Sequence, residues 1–308
     1  MHRSFTYDSI LASSHRAAWR IEDVIPDGAA LDFNRPFLPE ALARTAAAPE
    51  LGDPRLGDGE RLALNHVRAH EYLSMFGLVE EFILPFILDH VRADLRLDDD
   101  RTRALLQFAG EEAKHIQLFR RFHQAFVRDF GTDCAMIGPS EAISAKVLSH
   151  HPLGIALFIL QLEWMTQAHY LGSIRDDADL DPLMKSLLRH HWIEEAQHAR
   201  LDTLMVEAMA ESLSADEIAQ AFGDYVAIIR FMDEGLGVQA GLNLDALEAA
   251  CGLRLGEEER AALQAQQHQS SRWTFLGSGM AHPRFQATLA HIAPAARAQL
   301  DEISPLFH

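Results

Sequence analysis

The spacing of apolar residues constrains this chain more than any other feature. Long stretches repeat them at three- and four-residue intervals, and no stretch shows the strict apolar–polar alternation of a half-buried strand. The pattern predicts an all-α protein. A first long helix is expected over Gly59 to Leu95. Asp98 to Asp100 then supply turn and N-cap chemistry for a second, Arg101 to Phe130, which Gly131 stops. Ser140 and Glu141 open a third helical region, Ala142 to Ile174, expected to kink near Pro152 and Gly154. The acidic loop Asp176 to Pro182 precedes a fourth, Leu183 to Leu213. Ser214, Asp216 and Glu217 cap a fifth from Ile218, and Gly235, Gly237, Gly241 and the turn near Gly252 to Gly256 are expected to break up the remainder.

Four consecutive helices of about thirty residues, apolar on their inner faces, describe a four-helix bundle. Residues 1–55, with Pro26, Pro36 and Pro39, read as an arm laid on that bundle, 59–213 as its core and 214–308 as C-terminal helices, all in one domain. Lys and Arg number 27 against 45 Asp and Glu, a formal charge of −18, and no basic cluster or tail offsets it. That excludes a nucleic-acid binder or a binder of anionic membranes. With 48% hydrophobic and 23% charged residues, a packed core rather than a disordered chain is expected. Cys134 and Cys251 cannot form a disulfide framework, Met1 to Ile10 lacks the apolar stretch of a signal peptide, and the expected location is cytoplasmic. The longest charge-free apolar run, Pro152 to Leu162, is about half the roughly 20 residues that span a bilayer.

Glu-x-x-His occurs twice, as Glu112-Ala113-Lys114-His115 and Glu195-Ala196-Gln197-His198. Isolated Glu/His pairs are common on the surface of an acidic protein, so position decides their meaning. Residues three apart project from one helix face, and both faces are apolar, with Leu105, Phe108, Ile116 and Phe119 around the first and Leu188, Trp192 and Ala199 around the second. A carboxylate and an imidazole aimed together into a core each need a partner, and a hard cation serves both. The preceding helices carry Glu80 and Glu163, each 32 residues before the Glu of its motif. One Glu from each of two helices and one Glu-x-x-His from each of the others is what a dinuclear site in a bundle requires. Glu80 is preferred over Glu81 because Leu73, Phe76, Ile83, Leu84 and Ile87 form an unbroken stripe around it, whereas Glu81 shares its stripe with Ser74, Gly77 and Pro85. His191, one turn before Glu195, extends the fourth-helix motif to a ladder of His191, Glu195 and His198, while His190 faces elsewhere. Oxygen-rich ligation without thiolate suits iron, and manganese second, better than zinc or copper.

The order Glu, Glu-x-x-His, Glu, His-x-x-x-Glu-x-x-His resembles the ferritin-like di-iron arylamine N-oxygenases, typified by p-aminobenzoate N-oxygenase, over about Tyr72 to Asp202. The resemblance implies a ferritin-like four-helix bundle with additional N- and C-terminal helices. It implies that Glu80, Glu112, His115, Glu163, His191, Glu195 and His198 hold two iron ions, His191 being the distinguishing ligand. It further implies O2 as co-substrate and oxidation of an amine nitrogen to a hydroxylamine, nitroso or nitro product. No nucleotide-binding Gly-rich motif or iron–sulfur Cys set is present, so electrons are expected from an external donor. A homodimer is implied by family analogy.

Around this set, Asp202 is a candidate acceptor for the outer N–H of His198, and Tyr72, Gln167 and Tyr170 are candidate pocket residues. Trp164 and Trp192 are expected to be packing. Met75 and Tyr72 stand where a carboxylate clamp beside the first ligand helix would lie, so a basic clamp, if used, is expected elsewhere, as at Arg200 or Arg230. A di-iron C–H hydroxylase or desaturase would use the same six core ligands. Iron storage is disfavoured by the long C-terminal region, and a non-enzymatic helical interaction protein would lack bound metal.

Overall fold

The computed structural model describes residues 5–46 and 56–307, and within them every regular element is helical. The parts of the expected arm at 1–4 and 47–55 lie outside the described residues. The arm contributes α1 (Tyr7–Ala17), α2 (Ile21–Val24) and α3 (Glu40–Ala43). The core continues as α4 (Asp58–Val91), α5 (Asp100–Phe130), α6 (Ser140–Leu148), α7 (Pro152–His169) and α8 (Pro182–Glu211). The chain then runs through α9 (Ala215–Cys251), α10 (Glu257–Arg272), α11 (Ser278–Met280), α12 (Pro283–Ile292) and α13 (Pro294–Ile303). None of these helices is long and apolar enough to cross a membrane.

Local chemistry sets most boundaries. Asp99 caps α5 by accepting from the Thr102 amide at 2.7 Å, and Gly131 ends that helix with φ of 75°. Asp181 caps α8 through the Met184 amide at 2.6 Å, with Pro182 at the first helical position. Ser214 and Glu217 form the capping box of α9.

Two expectations fail. The third helical region is not one kinked helix but two, α6 and α7, because Pro152 opens α7 with His151 as its cap rather than interrupting a helix from inside. Nor do glycines break up the region after Ile218, since α9 runs unbroken for 37 residues. Its glycines make room: a Cβ on Gly237 would lie 3.1 Å from the His268 ring and one on Gly241 3.1 Å from the Gln264 amide, both on α10.

The four long helices α4, α5, α7 and α8 form the bundle, paired α4 with α5 and α7 with α8, and α5 meets α8 across the middle. Helix α9 packs on both α4 and α7, and α1 lies over α5 and α8. The main core is lined by such residues as Phe82, Phe108, Phe122, Phe158 and Leu187, all essentially without exposure. Two single turns of π-helix interrupt the regular pattern, Tyr170–Ile174 after α7 and Trp273–Gly277 after α10.

Candidate metal centre

Inside the bundle, two overlapping groups of donors converge. Glu80, His115, His191 and Glu195 offer atoms within 4.8 Å of one another, as do Glu112, His115, Glu195 and His198, and His115 and Glu195 belong to both groups. Glu163 stands beside Glu195 on the adjoining helix, hydrogen-bonded to it, with its other carboxyl oxygen buried and unpartnered. These residues reach one place because each lies on the inward stripe of its helix, Glu80 on α4, Glu112 and His115 on α5, Glu163 on α7, and the His191 ladder on α8. Glu81 instead turns outward to Arg120, 3.9 Å away.

Orientation distinguishes this cluster from a set of ion pairs. His115 Nδ1 lies 3.1 Å from Glu195, 3.6 Å from Glu80 and 4.0 Å from Glu112, yet makes no hydrogen bond. His198 Nδ1 lies 2.8 Å from Glu112 and 3.3 Å from Glu195 and is also without one. Both oxygens of Glu112 and one each of Glu80 and Glu195 are buried in the same condition. Buried polar atoms are normally satisfied, so a group of inward-facing orphans points to a missing partner at their focus. The outer nitrogens are held. His115 Nε2–H donates to Glu194 at 2.8 Å, and His198 Nε2–H donates to Glu111 at 2.9 Å.

The links are crossed. Glu194 on α8 holds the α5 histidine, and Glu111 on α5 holds the α8 histidine. Lys114 donates to the second oxygen of Glu194, and its Nζ sits 4.0 Å over the Trp19 ring, which stacks on His115. Ser14 and Gln107 donate to Glu111. Sequence reasoning missed Glu111, Glu194, Lys114, Ser14 and Trp19. Its available signal was the extra acid in both motifs, Glu111-Glu112-x-x-His115 and Glu194-Glu195-x-x-His198.

The electrostatics reflect this packing. Burial and then the charge of Glu112 push the Glu80 carboxyl up, and burial with the charge of Glu195 does the same to Glu163. Burial would raise Glu195 too, but His191 and His198 hold it well below the usual carboxylate range. His115 and His198 are raised against the effect of burial by the carboxylates they face. Aromatic rings keep the surroundings dry, with Phe108 at 4.1 Å from the His198 ring and Phe76 and Phe119 at 4.9 and 5.1 Å from that of His191.

Asp202 does not hold His198, because Glu111 occupies the outer nitrogen. It is wholly buried rather than on the helix surface, both oxygens lack a partner, and burial raises its carboxyl well above normal. Tyr72 faces inward from α4, and its O–H donates to His169 Nδ1 at 2.9 Å. His169 Nε2–H in turn donates to Ser278 at 2.9 Å, and Ser278 donates to the Thr274 carbonyl. His169 and Ser278 line a cavity of about 530 Å³ that both π-helical turns border, through Ser173 and Trp273. Tyr170 stacks on Trp192 at 4.3 Å. Gln167 lines a different cavity, as do Trp164 and Trp192, which also pack against the core.

The sequence matches the family described as p-aminobenzoate N-oxygenase AurF over residues 54–272, about 70% of the chain. The chain belongs to that family. The match spans α4 to α10, and so includes every helix of the AurF-type bundle and all the converging donors. A comparison with curated proteins returns no match.

Proposed function

We propose that the protein is a di-iron oxygenase that oxidises an amine nitrogen. The supporting observation is the set of converging buried donors, in which Glu80, Glu112, Glu163, Glu195, His115 and His198 each keep an unpartnered atom and His191 Nε2 lies 3.2 Å from Glu80, with the outer nitrogens of His115 and His198 already committed to carboxylates. Such a set fits two divalent iron ions, with Glu195 between the two groups and His191 adding an imidazole to the group containing Glu80. When bound, the pair of ferrous ions supplies the electrons that activate O2.

The chain's own residues do the rest. Glu194 and Glu111 accept the outer N–H and fix the tilt of His115 and His198, so the inner nitrogens are aimed inward and are the ones a metal would take in exchange for a proton. Phe76, Phe108 and Phe119 exclude water. The cavity beside His169 is the route for the amine, and Tyr72 stands behind His169, hydrogen-bonded to it, on the side of the metal donors. Burial and the charge of Glu195 raise the Tyr72 phenol, while burial lowers His169 to about 3, so Oη keeps its proton and the imidazole stays neutral. Met75 is buried and apolar, and among the described residues Arg44, contributed by the arm, is the guanidinium lining this cavity. An acid group on the substrate is therefore met from the arm rather than from the first ligand helix.

The test is anaerobic loading with ferrous iron, elemental analysis, then exposure to O2 and reductant with a panel of amines including p-aminobenzoate and its amide, products being read by mass. About two irons per chain and hydroxylamine, nitroso or nitro products are expected. Fewer than one metal per chain in wild type, or retention of metal after Glu112→Ala, would overturn the site. A hydroxylated carbon with no oxidised nitrogen would overturn the reaction and leave the site standing.

A further inference from the structure

The arm reaches both crossed links. Ser14 of α1 donates to the Glu111 oxygen that Gln107 also reaches at 3.0 Å, while the other Glu111 oxygen accepts from His198 at 2.9 Å. Trp19, between α1 and α2, acts on the second link through Lys114. Its carbonyl accepts from Lys114 Nζ at 3.3 Å, and Lys114 donates to the Glu194 oxygen that His115 leaves free. The Trp19 ring lies 12° from parallel with the His115 ring, their centroids 5.9 Å apart, under the Lys114 ammonium at 4.0 Å. Each of these two imidazoles is thus aimed by a carboxylate whose second oxygen is held, directly or through Lys114, by the arm.

The docking that makes these contacts is close. Ile10, Leu11 and Ser14 wall a cavity of about 10 Å³ against Glu111 and His198, room for one water at most, so α1 closes the outer side of His198. Ile10 and Ser14 are both buried there, and Arg121 fastens the next stretch by donating to the Ile25 carbonyl at 3.2 Å and pairing with Glu22. The arm residues lie outside the 54–272 match, so this outer layer is contributed by a part of the chain that the family resemblance does not cover. A carboxylate held at both oxygens cannot swing, and the imidazole it holds keeps its tilt. Freeing one oxygen loosens both, and the outer partners of a ligating histidine govern metal affinity strongly.

Resting on the di-iron reading, we propose that Ser14 and Trp19 are positioning residues through which arm docking and metal binding are coupled. The docked arm slows metal loss, and by linkage bound metal holds the arm down by the same factor. His198 belongs to one group of donors and His115 to both, so loss of the Ser14 contact loosens chiefly one metal and loss of the Trp19 contact both.

The test loads the full-length protein anaerobically with ferrous ion and adds excess chromogenic chelator, reading the rate of metal release. Amide hydrogen exchange over residues 5–25 is compared with and without metal. Ser14→Ala and Trp19→Leu should each release metal about tenfold faster than wild type, Ser14→Ala with one fast phase and one near the wild-type rate. Trp19→Phe, which keeps a ring over His115, and His15→Ala, on the exposed side of α1, should release it at close to the wild-type rate. In wild type, metal should slow exchange in α1 and around Trp19 about fivefold or more, with α13, which packs on α12, unchanged. Unchanged release in both Ser14→Ala and Trp19→Leu at wild-type melting would overturn the proposal, as would equal exchange in the arm with and without metal. Should either variant melt early when metal-free, the wild-type exchange comparison decides by itself, since it needs no substitution. Less than one metal per chain in wild type would instead overturn the di-iron reading on which the proposal stands.

Discussion

Removing the Glu194 carboxylate isolates what the crossed links contribute. The residue has no exposure, accepts from His115 Nε2 at 2.8 Å, and also pairs with Lys114. In Glu194→Ala the His115 N–H loses its acceptor inside the core, a loss of about 1–3 kcal/mol. At roughly 2–4 °C per kcal/mol, the metal-free protein should melt several degrees lower. The imidazole also loses what fixes its tautomer, and Lys114 is left as an uncompensated cation next to it. Loss of such an outer partner typically weakens a metal about 10- to 100-fold, equivalent to about 1.4–2.7 kcal/mol. Glu194→Gln keeps an acceptor oxygen and should fall between wild type and alanine. The assay is competitive titration of ferrous or manganous ion with a chelator, with Glu81→Ala, on the outer face, as a control of unchanged affinity. Wild-type affinity in Glu194→Ala would refute the idea that the crossed carboxylates set the imidazoles for metal.

His191→Ala should retain about two metals per chain by elemental analysis, because the other six donors remain, but change the optical and kinetic course of the reaction with O2. Gly154→Ala should cost about 1–3 kcal/mol in denaturant unfolding, since a Cβ there would lie 2.7 Å from the Ala221 carbonyl oxygen of α9. Burial would raise the Asp233 carboxyl, but Arg272, bonded at 2.6 Å through two nitrogens, and His268 hold it below the usual value. That stabilisation is present above the unfolded Asp value of about 3.9 and lost as pH falls through the lower folded value, so Asp233→Asn should flatten the acid limb of the stability curve.

Caps and periodicity are local, which is why the four long helices and their ends at Asp99, Gly131, Asp181 and Ser214 were legible in the sequence. That the two Glu-x-x-His motifs, and Glu80 rather than Glu81, face the bundle interior was legible because an inward carboxylate must sit on an apolar stripe. The break at Ser149 to His151 was not, since a proline at the first position of a helix looks the same in sequence as one inside it. The role of the α9 glycines depended on His268 and Gln264, which approach only in the folded chain. Glu111 and Glu194 were visible as doubled acids, but their task is defined by the opposite helix. Trp19 and Ser14 arrive from the arm, whose docking no local pattern encodes.

The two π-helical turns have a consequence for how this protein could be altered. Each is a helical turn carrying one additional residue, so the residues from that turn onward are rotated by about 100° relative to a regular α-helix. Deleting one residue from Tyr170–Ile174, with Gly172 the least costly choice, would swing Ser173 off the cavity wall while leaving Glu163 and Gln167 upstream in register. A deletion within Trp273–Gly277 would instead rotate Ser278 and Met280 beyond it, and with them the Ser278 part of the cavity wall. Single-codon insertions and deletions at these two places therefore act as a dial on cavity shape that leaves the donors of α4, α5 and α7 in register.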